Sequence, residues 1–397
     1  MDGTNPRCVT IVDRSYPPNR SITGESACDL ARFLIEQYDI DVHIVHLDTD
    51  YGGGSDPVQP VGTVHKLPSF YNGKDKLKRF RASLQEGKAL IKKAIEINRG
   101  PIICMTSPPL LNYWASKLIP VDRPWFLWSM DLFPDAFISS RLSSKWNPIY
   151  RYFDKVTYRR APERLIALGP LQAEYIQEKY KKNIESITLP CGIMLSNLDK
   201  VDSPVSLPKW KEEYSDKIIF GYCGNVGEAH SPEFLKACLD QIDPEKHHFI
   251  LVAYGKHSED ILAYANGKPG VTILKHVPRE QLQYIDIHVV SLKEDWVHVC
   301  VPSKLVSAVY MESNFLFCGI AACDNWHLMQ DSGWLVTDDD QMIDQVKTFF
   351  KTINRDELAK AKERATLRSG KLVDRSRKAY NEIALAILEY QKIENEK

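Results

Sequence analysis

Short apolar runs rich in β-branched and aromatic residues alternate with segments of helical periodicity along the chain, and this alternation constrains the fold more than any other feature. The pattern begins with an apolar run at Cys8–Val12, a turn-rich loop, a helix predicted from Gly24 to Gln37 and a second run at Val42–Val45. Two parallel strands need a crossover connection, usually a helix, so this spacing predicts a parallel sheet covered by helices.

The same pattern recurs on both sides of a polar, proline-containing stretch at Asp199–Ser215. A chain of 397 residues exceeds what one hydrophobic core usually spans, so two domains are expected. We predict an α/β fold of two Rossmann-like domains, each a doubly wound parallel sheet, that face a central cleft. The predicted boundaries are 1–190 for the first domain, 191–216 for a linker, 217–373 for the second domain and 374–397 for a C-terminal helix that crosses back to the first. The further predicted strands are Ile102–Met105, Trp125–Trp128, Arg164–Leu168, Ile184–Pro190, Ile218–Tyr222, Phe249–Tyr254, Val271–Leu274, Ile287–Leu292, Phe315–Cys318 and Gly333–Val336.

Hydropathy and cysteine usage indicate a protein of a reducing compartment. No apolar run reaches the ~18 residues of a membrane-spanning helix, and the run at Cys8–Val12 is too short for a signal peptide. The nine cysteines are an odd number without a Cys-x-x-Cys pair, which favours free thiols over a disulfide framework. We expect a cytoplasmic protein, with the inner membrane surface as one place where it works.

The charge is distributed unevenly between the two halves. Residues 1–190 hold 26 Lys and Arg against 21 Asp and Glu, whereas the remainder holds 25 against 31. A basic first half indicates an anionic partner for the first domain. The segment Lys74–Lys93, with eight basic and two acidic residues, is consistent either with an amphipathic helix on anionic lipid or with a solvated helix face. Arg141–Arg164 has the same bias, and both interpretations stay open.

The segment Val301–Gly319, VPSKLVSAVYMESNFLFCG, combines a helix start with a lysine. Ser303 is a good N-cap residue for a helix beginning at Lys304, with Ser307 one turn further along the face of the lysine. Free N–H groups, the helix dipole and the ammonium then point at one place, which suits an anion. A capped surface helix with a solvated lysine is the alternative.

The phrase PSKL, followed by a helix and an apolar strand, resembles the nucleotide-sugar site of the large retaining glycosyltransferase family numbered four, whose two-domain fold is called GT-B. It is most similar to the subgroup that elongates bacterial surface polysaccharides. Relatives usually have the sequence PSKL-x-Glu here, with a second glutamate eight positions before the first. This chain has Ser307 and Val299 at those two positions, where the family glutamates are linked to the ribose and the donor sugar.

The resemblance implies further donor-binding residues in both halves. Gly24 matches a glycine of the first family loop that lets the backbone approach the donor, although a plain helix-entry glycine is the alternative. Val277, with His276 before it, matches the position whose backbone reads the nucleobase. The remaining implied donor residues are Gly224, Asn225, Gly227 and His230, in the glycine-rich turn after Ile218–Tyr222, and Ser303, Lys304 and Ser307 in the PSKL helix.

Two phrases after predicted strands resemble the acceptor side of the same subgroup. Ser107 begins a Ser-Pro-Pro turn after Ile102–Met105, and Asp131 begins the phrase Asp-Leu-Phe-Pro-Asp after Trp125–Trp128. Loops after strand carboxyl ends line the ligand crevice of parallel sheets. Asp131 is therefore the predicted residue for binding or deprotonating the acceptor hydroxyl, and a turn-capping carboxylate is the alternative.

Two small clusters also invite a metal interpretation. Asp48 and Asp50 resemble the paired carboxylates of another glycosyltransferase fold, but they follow a predicted strand and lead into a glycine loop. His298 and Cys300 have no further ligands at zinc spacing. We predict no metal and no cofactor beyond a nucleotide-sugar co-substrate.

The resemblance implies a metal-independent, retaining glycosyltransferase of polysaccharide or glycolipid assembly, with Lys304 and Asp131 as its catalytic residues. We favour a UDP-sugar over a GDP-sugar as donor, and the basic first domain favours an anionic acceptor, of which a lipid-linked sugar is one form. The alternative is a GT-B protein that has lost turnover and acts as a binding partner or activator of another transferase, because both family glutamates are missing. A nucleic-acid partner is not expected, since no base-stacking motif accompanies the basic half.

Overall fold

The computed structural model describes residues 7–19, 21–49, 58–71, 75–97, 100–196 and 205–395. The chain forms two compact units, one of Met1–Asp199 with Arg375–Lys397 and one of Lys200–Asp374. Each contains one parallel sheet with helices between its strands. The prediction of two Rossmann-like doubly wound domains is confirmed.

The first unit has a seven-stranded sheet in the order β3-β2-β1-β4-β5-β6-β7, in which every neighbouring pair is parallel. The first six positions repeat the strand order of nucleotide-binding Rossmann folds. The elements are β1 (Cys8–Val12), α1 (Ile22–Tyr38), β2 (Asp41–Asp48), β3 (Thr63–Pro68), α2 (Lys76–Ile97), β4 (Ile102–Cys104), α3 (Leu111–Leu118), β5 (Trp125–Trp128), α4 (Asp135–Ser139), α5 (Pro148–Thr157), β6 (Arg164–Ala167), α6 (Pro170–Tyr180) and β7 (Ser186–Thr188).

The second unit has a six-stranded parallel sheet in the order β10-β9-β8-β11-β12-β13, which is again the Rossmann order. Its elements are α7 (Lys209–Glu213), β8 (Ile218–Asn225), α8 (Pro232–Asp240), β9 (His247–Tyr254), α9 (Ser258–Ala265), β10 (Val271–Ile273), β11 (Ile287–Ser291), α10 (Ser303–Tyr310), β12 (Asn314–Cys318), α11 (Asp324–Met329), β13 (Gly333–Val336), α12 (Met342–Thr352) and the first part of α13 (Arg355–Asn395).

The central strands are buried and mostly apolar because helices cover both faces of each sheet. Every residue of β1, β4, β5, β11 and β12 is buried. The edge strand β3 has no buried residue and was missed by the sequence analysis, because its polar, half-exposed pattern lacks the apolar run of a central strand. In the described part of the chain, no helix has the length and apolar character needed to cross a membrane.

The predicted starts of the PSKL helix and of the C-terminal helix are wrong. Helix α10 begins at Ser303, and Pro302 occupies the N-cap position, so Ser303 is not the capping residue. The C-terminal helix begins at Arg355 rather than Asp374, and its residues from Arg375 onward belong to the first unit.

Hydrogen bonds to the buried Asp29 carboxylate join the C-terminal segment and residues 195–196 to the rest of the first unit. Asp29 of α1 accepts from the hydroxyl of Tyr380 at 2.9 Å, and from the backbone N–H groups of Leu195 at 2.7 Å and Ser196 at 2.9 Å. One carboxylate thus holds both the chain that leaves the first sheet and the helix that returns to it.

Candidate functional site

The candidate site lies in the second unit, at the carboxyl ends of its two central strands. β8 and β11 are neighbours, with Ile287 beside Phe220 and His288 beside Gly221. The strand order reverses here, since β9 and β10 continue beyond β8 while β12 and β13 continue beyond β11. Such a reversal leaves a crevice beyond the strand ends, where ligands bind in open parallel sheets.

Lys304, in the first turn of α10, is held against the end of β8. Its ammonium donates to the carbonyl oxygen of Asn225 at 3.1 Å and to Nε2 of His230 at 3.1 Å, and it lies 5.3 Å from the centre of the Tyr222 ring. The Tyr222 hydroxyl donates to the same Asn225 carbonyl at 2.7 Å. All three partners belong to β8 and the turn after it. We call these four residues the Lys304 cluster.

His230 serves this cluster as a neutral acceptor. Its Nδ1 lies 2.7 Å from the carbonyl oxygen of Ser291, at the end of β11. A carbonyl only accepts, so Nδ1 carries the proton and Nε2 is left to accept from the Lys304 ammonium. Burial, followed by the positive charge of Lys304, lowers the pKa of His230 to about 3, so the ring stays uncharged at neutral pH.

Lys304 is a cation among neutral groups. No carboxylate of the described residues lies within ion-pair distance of it, and desolvation of its half-buried side chain lowers its pKa to about 8, against a smaller opposing effect of Cys300 and Cys223. No side chain caps the first turn of α10. The ammonium and the helix N-terminus therefore form an electropositive site that an anion would neutralise.

Two glycines make room for the cluster. Gly224 has φ +146°, and a Cβ added there would lie 2.4 Å from Cε of Lys304. Gly255, at the end of β9, has φ +98°, and its Cβ would lie 1.8 Å from Oδ1 of Asn225. Gly255 was missed by the sequence analysis, although its place directly after a predicted strand was a usable signal. Gly227 is looser, with its added Cβ 3.4 Å from Nδ2 of Asn225.

The other predicted donor residues of this unit lie apart from the ammonium contacts. Ser303 and Ser307 are half-buried residues of α10. His276 is exposed, whereas Val277 is buried and packs with a small core cluster that includes Ile219 and Ile285. Both follow β10, the outer strand, two strand positions from β8 or about 10 Å at normal strand spacing.

In the first unit, the corresponding strand reversal lies between β1 and β4. Ser107 follows β4 and is half-buried, and its neighbour Thr106 accepts at Oγ1 from the backbone N–H of Met130 at 3.2 Å. This bond ties the ends of β4 and β5 together. Asp131, the next residue, therefore lies at the same edge of the sheet as Ser107.

Asp131 and Asp135, the two carboxylates of one predicted acceptor phrase, have different environments. Asp135 is buried and accepts from the hydroxyls of Tyr158 and Tyr175, each at 2.7 Å, and from Lys179 at 2.9 Å. Asp131 is exposed, with no hydrogen bond or ion pair to any described residue. Desolvation by the protein around it still raises the pKa of the Asp131 carboxyl to about 6. Asp135 is thus structural, and Asp131 is the carboxylate free to meet a ligand.

Asp13, directly after β1, is a buried carboxylate that the sequence analysis missed. Its Oδ2 accepts from the hydroxyl of Thr23 at 3.0 Å and the backbone N–H of Ser15 at 3.3 Å, while its buried Oδ1 has no partner among the described residues. Burial raises its pKa to about 7, against the smaller effect of these bonds. No local signal distinguishes it from an ordinary aspartate after a strand.

Gly24 lies within α1 rather than in the preceding loop. A Cβ added there would lie 2.6 Å from the carbonyl oxygen of Ser15 and 3.1 Å from Cα of Tyr16. The glycine thus lets the helix approach the backbone of the loop after β1. The structure therefore shows a packing role for Gly24.

The metal interpretations receive no geometric support from the described residues. Asp48 forms an ion pair with Lys66 at 2.8 Å, and Asp50 lies outside the described residues. No three His, Cys, Asp or Glu side chains within the described ranges lie close enough together to hold a metal ion.

Comparisons with known proteins agree on the fold. No protein-family model matches the chain. A curated relative, "Probable glycosyltransferase WbjE" of Pseudomonas aeruginosa, is 22% identical over 217 residues. This match spans about half of each protein, 51% of this chain and 52% of the relative.

Solved structures match over nearly the full length at low identity. The N-terminal domain of trehalose-6-phosphate phosphatase from Candida albicans has a TM-score of 0.67 at 12% identity, with 98% of both chains covered. WaaG, a glycosyltransferase involved in lipopolysaccharide biosynthesis, has a TM-score of 0.66 at 14% identity, covering 94% of this chain and 98% of WaaG. A UDP-forming α,α-trehalose-phosphate synthase from Burkholderia vietnamiensis has a TM-score of 0.62 at 11% identity, with 96% of both chains covered. The chain has the GT-B fold.

Proposed function

We propose that this chain of GT-B fold is a glycosyltransferase that moves a sugar from a nucleotide-sugar donor to an acceptor hydroxyl. The observation that carries the proposal is the Lys304 cluster, an ammonium without a carboxylate partner at the strand reversal of a Rossmann-like sheet. The names of WbjE and WaaG, both described as glycosyltransferases, support the same activity.

The donor diphosphate is proposed to bind at Lys304 and the first turn of α10. As the bond from the anomeric carbon to the phosphate oxygen breaks, its electron pair goes to the leaving diphosphate. Lys304 and the free N–H groups of the helix stabilise that charge without rearranging. His230 holds the ammonium in place through a hydrogen bond. Because the ring is uncharged, it does not neutralise the ammonium and leaves its positive charge available to the phosphate.

The nucleoside is proposed to run from this point across β8 and β9 towards β10. Ser307 then lies near the ribose, and the backbone at Val277 reads the base, with His276 beside it. The separation of about 10 Å between β8 and β10 suits a nucleoside with its diphosphate at one end. We favour UDP over GDP, and the UDP-forming synthase of similar fold supports this choice.

The reaction is proposed to retain the anomeric configuration, without a metal ion. In that mechanism the acceptor oxygen attacks from the side that the leaving phosphate departs, and its proton passes to a phosphate oxygen. No strong protein base is then required, so Asp131 would orient the acceptor hydroxyl and Ser107 would line the same subsite. An anionic acceptor, such as a lipid-linked sugar on the cytoplasmic side of a membrane, fits the basic first half of the chain.

The test is nucleotide release from a panel of UDP- and GDP-sugars without added acceptor, in the presence and absence of EDTA. Slow hydrolysis of one donor, unaffected by EDTA, is expected and would identify the donor. If every donor binds but none is hydrolysed, with or without an acceptor, the alternative applies, and the protein is a binding partner or activator of another transferase. Ser307 and Val299 in place of the two family glutamates favour that alternative.

Gly224→Ala is expected to weaken donor binding about tenfold or more. Its Cβ would meet Lys304 and would sit on a backbone with positive φ, a strain that costs roughly 1–3 kcal/mol. Isothermal titration with UDP measures the effect. Gly267→Ala is the matched control, since Gly267 also has positive φ (+77°) but no atom lies within 4 Å of its added Cβ. Equal losses of affinity in both variants would contradict a role of Gly224 in seating Lys304.

Asp131→Asn is expected to lower sugar transfer about 10²-fold while leaving acceptor-free donor hydrolysis within about twofold. The amide keeps the size of the side chain but loses its charge, so only the acceptor step suffers. Because the pKa of Asp131 is about 6, transfer by the unaltered protein should fall as pH decreases through 6. Asp122→Asn, at an exposed aspartate of the same unit, is the control. A parallel loss of hydrolysis and transfer would assign Asp131 to the fold or the donor instead.

A further inference from the structure

Residues 141–155 of the first unit expose large apolar side chains. The exposed fractions are 61% for Leu142, 86% for Trp146, 66% for Ile149 and 52% for Tyr152. Ile149 and Tyr152 are three residues apart on α5, and therefore share its outer face. Scattered single apolar residues on a surface are ordinary, but four within eleven positions indicate an interaction site.

Basic side chains surround these apolar residues. The exposed ones are Arg141, Lys145, Arg151, Lys155 and Arg159. Asp154 is the only acid between positions 141 and 160, and its carboxylate pairs with Lys179. The segment therefore carries more basic than acidic side chains around its apolar residues.

Helix α2 contacts α5 through an aromatic pair and adds further exposed basic side chains to this unit. Phe80 of α2 meets Phe153 of α5 edge-on, with ring centroids 6.1 Å apart. Lys78, Arg79, Arg81 and Lys88 of α2 are exposed, whereas Glu86 is buried and accepts from the hydroxyl of Ser69 at 2.8 Å. Basic groups of α2 thus face solvent while this acid points inward. We call the exposed basic and apolar residues of 141–159, together with Lys78, Arg79, Arg81 and Lys88 of α2, the basic apolar face.

We propose that the basic apolar face binds the surface of an anionic lipid bilayer, with Leu142, Trp146 and Ile149 inserted among the headgroups. Tryptophan and tyrosine side chains favour the headgroup level, aliphatic side chains favour the acyl boundary, and lysine and arginine pair with lipid phosphates. A soluble polyanion would use the basic residues but leave Leu142 and Ile149 in water. An anionic bilayer suits both sets of residues.

The inference rests on the proposed function in one respect, since a lipid-linked acceptor gives membrane binding its use. Binding itself needs neither donor nor turnover. Donor hydrolysis, measured on the same preparations, separates the two proposals. If hydrolysis is absent while vesicles are bound, the glycosyltransferase proposal fails alone.

The experiment is co-sedimentation of the full chain with vesicles of phosphatidylcholine containing 30% phosphatidylglycerol, compared with pure phosphatidylcholine, at 0.1 M and 0.5 M salt. The unaltered protein should bind the anionic vesicles and lose affinity at high salt, as screening shortens the range of the charges to a few ångströms. Each basic residue near such a surface is worth roughly a factor of five. Arg151→Glu with Lys155→Glu should therefore weaken binding at least about tenfold.

Two further variants decide the mode of binding. Lys347→Glu with Lys351→Glu reverses two lysines with the same spacing on α12 of the second unit and should bind as the unaltered protein does. Trp146→Ser with Ile149→Ser should lose most of the binding that survives at high salt, with an unchanged melting temperature because both side chains are exposed. Equal binding to neutral and anionic vesicles, or equal losses in the α5 and α12 variants, would overturn the proposal. Loss on charge reversal without loss on apolar replacement would identify a general polyanion site and would also overturn it.

Discussion

Lys304→Met is expected to lower sugar transfer ~10²–10³-fold, the usual result of removing one preorganised donor from a developing oxyanion. Methionine keeps an apolar stem beside Gly224 and the Tyr222 ring, so the change removes mainly the charge. The measurement is kcat/KM for transfer, together with the dissociation constant of UDP. Lys351→Met, at an exposed lysine of α12, is the control and should leave both unchanged.

The stability of the Lys304 variant provides an independent readout. Desolvation lowers the pKa of this lysine from its usual value to about 8. Keeping the lysine charged at neutral pH therefore lowers the stability of the folded state. Replacing it should leave the melting temperature unchanged or raise it at pH 7. A lysine with a structural role would show the opposite, a lower melting temperature. If both activity and UDP affinity survive the change, the Lys304 cluster is not the diphosphate site.

The pH dependence of donor binding follows from the same pKa. A nucleotide-sugar diphosphate keeps its charge through neutral pH, so the titrating group is the ammonium. Affinity for the intact donor should be constant below pH 8 and should fall by up to tenfold per pH unit above it, until the raised pKa of the complex is reached. In Lys304→Met this decline should be absent.

Asp13→Asn is expected to change the pH dependence of stability by roughly 3–4 kcal/mol in the first unit. The carboxyl has a pKa of about 7 in the folded protein, well above its usual value, because burial disfavours the charged form. The folded state therefore holds a proton that the unfolded chain releases near pH 4. The unaltered protein should lose stability relative to the variant as pH rises from about 4 to 7, and the difference should be constant above that.

Hydrogen exchange of peptides from β1 and α1, compared at pH values between 5 and 8 after correction for intrinsic rates, measures this local stability. Comparing the pH trends of the two proteins removes any pH-independent effect of the asparagine side chain on stability. The same comparison for peptides from β8 and β9, in the other unit, is the control and should show no difference. Parallel trends for β1 in the two proteins would mean that the carboxyl titrates normally and is not desolvated.

The strands show how much local pattern can predict. Cys8–Val12, Trp125–Trp128 and Gly333–Val336 were predicted with the bounds that the structure has, because each is a short run made mostly of apolar residues between polar segments. Strand β3 was missed because its residues are exposed or half-exposed, so they need not be apolar and form no apolar run. The start of α10 was wrong by one residue, because propensity places serine at the N-cap whereas the chain enters the helix at Pro302.

The sequence by itself determined the alternation of strands and helices, the two sheets and the residue types at the strand ends, including Lys304 and Asp131. These follow from short-range periodicity and from the need to cover both faces of a parallel sheet. Only the tertiary structure decided which polar groups meet. Lys304 reaches Asn225 and His230 across more than seventy residues because β8 and β11 are adjacent in the sheet, and nothing local encodes that adjacency. The same holds for desolvation, since the raised pKa of Asp13 depends on the elements that bury it and not on its neighbours in the chain.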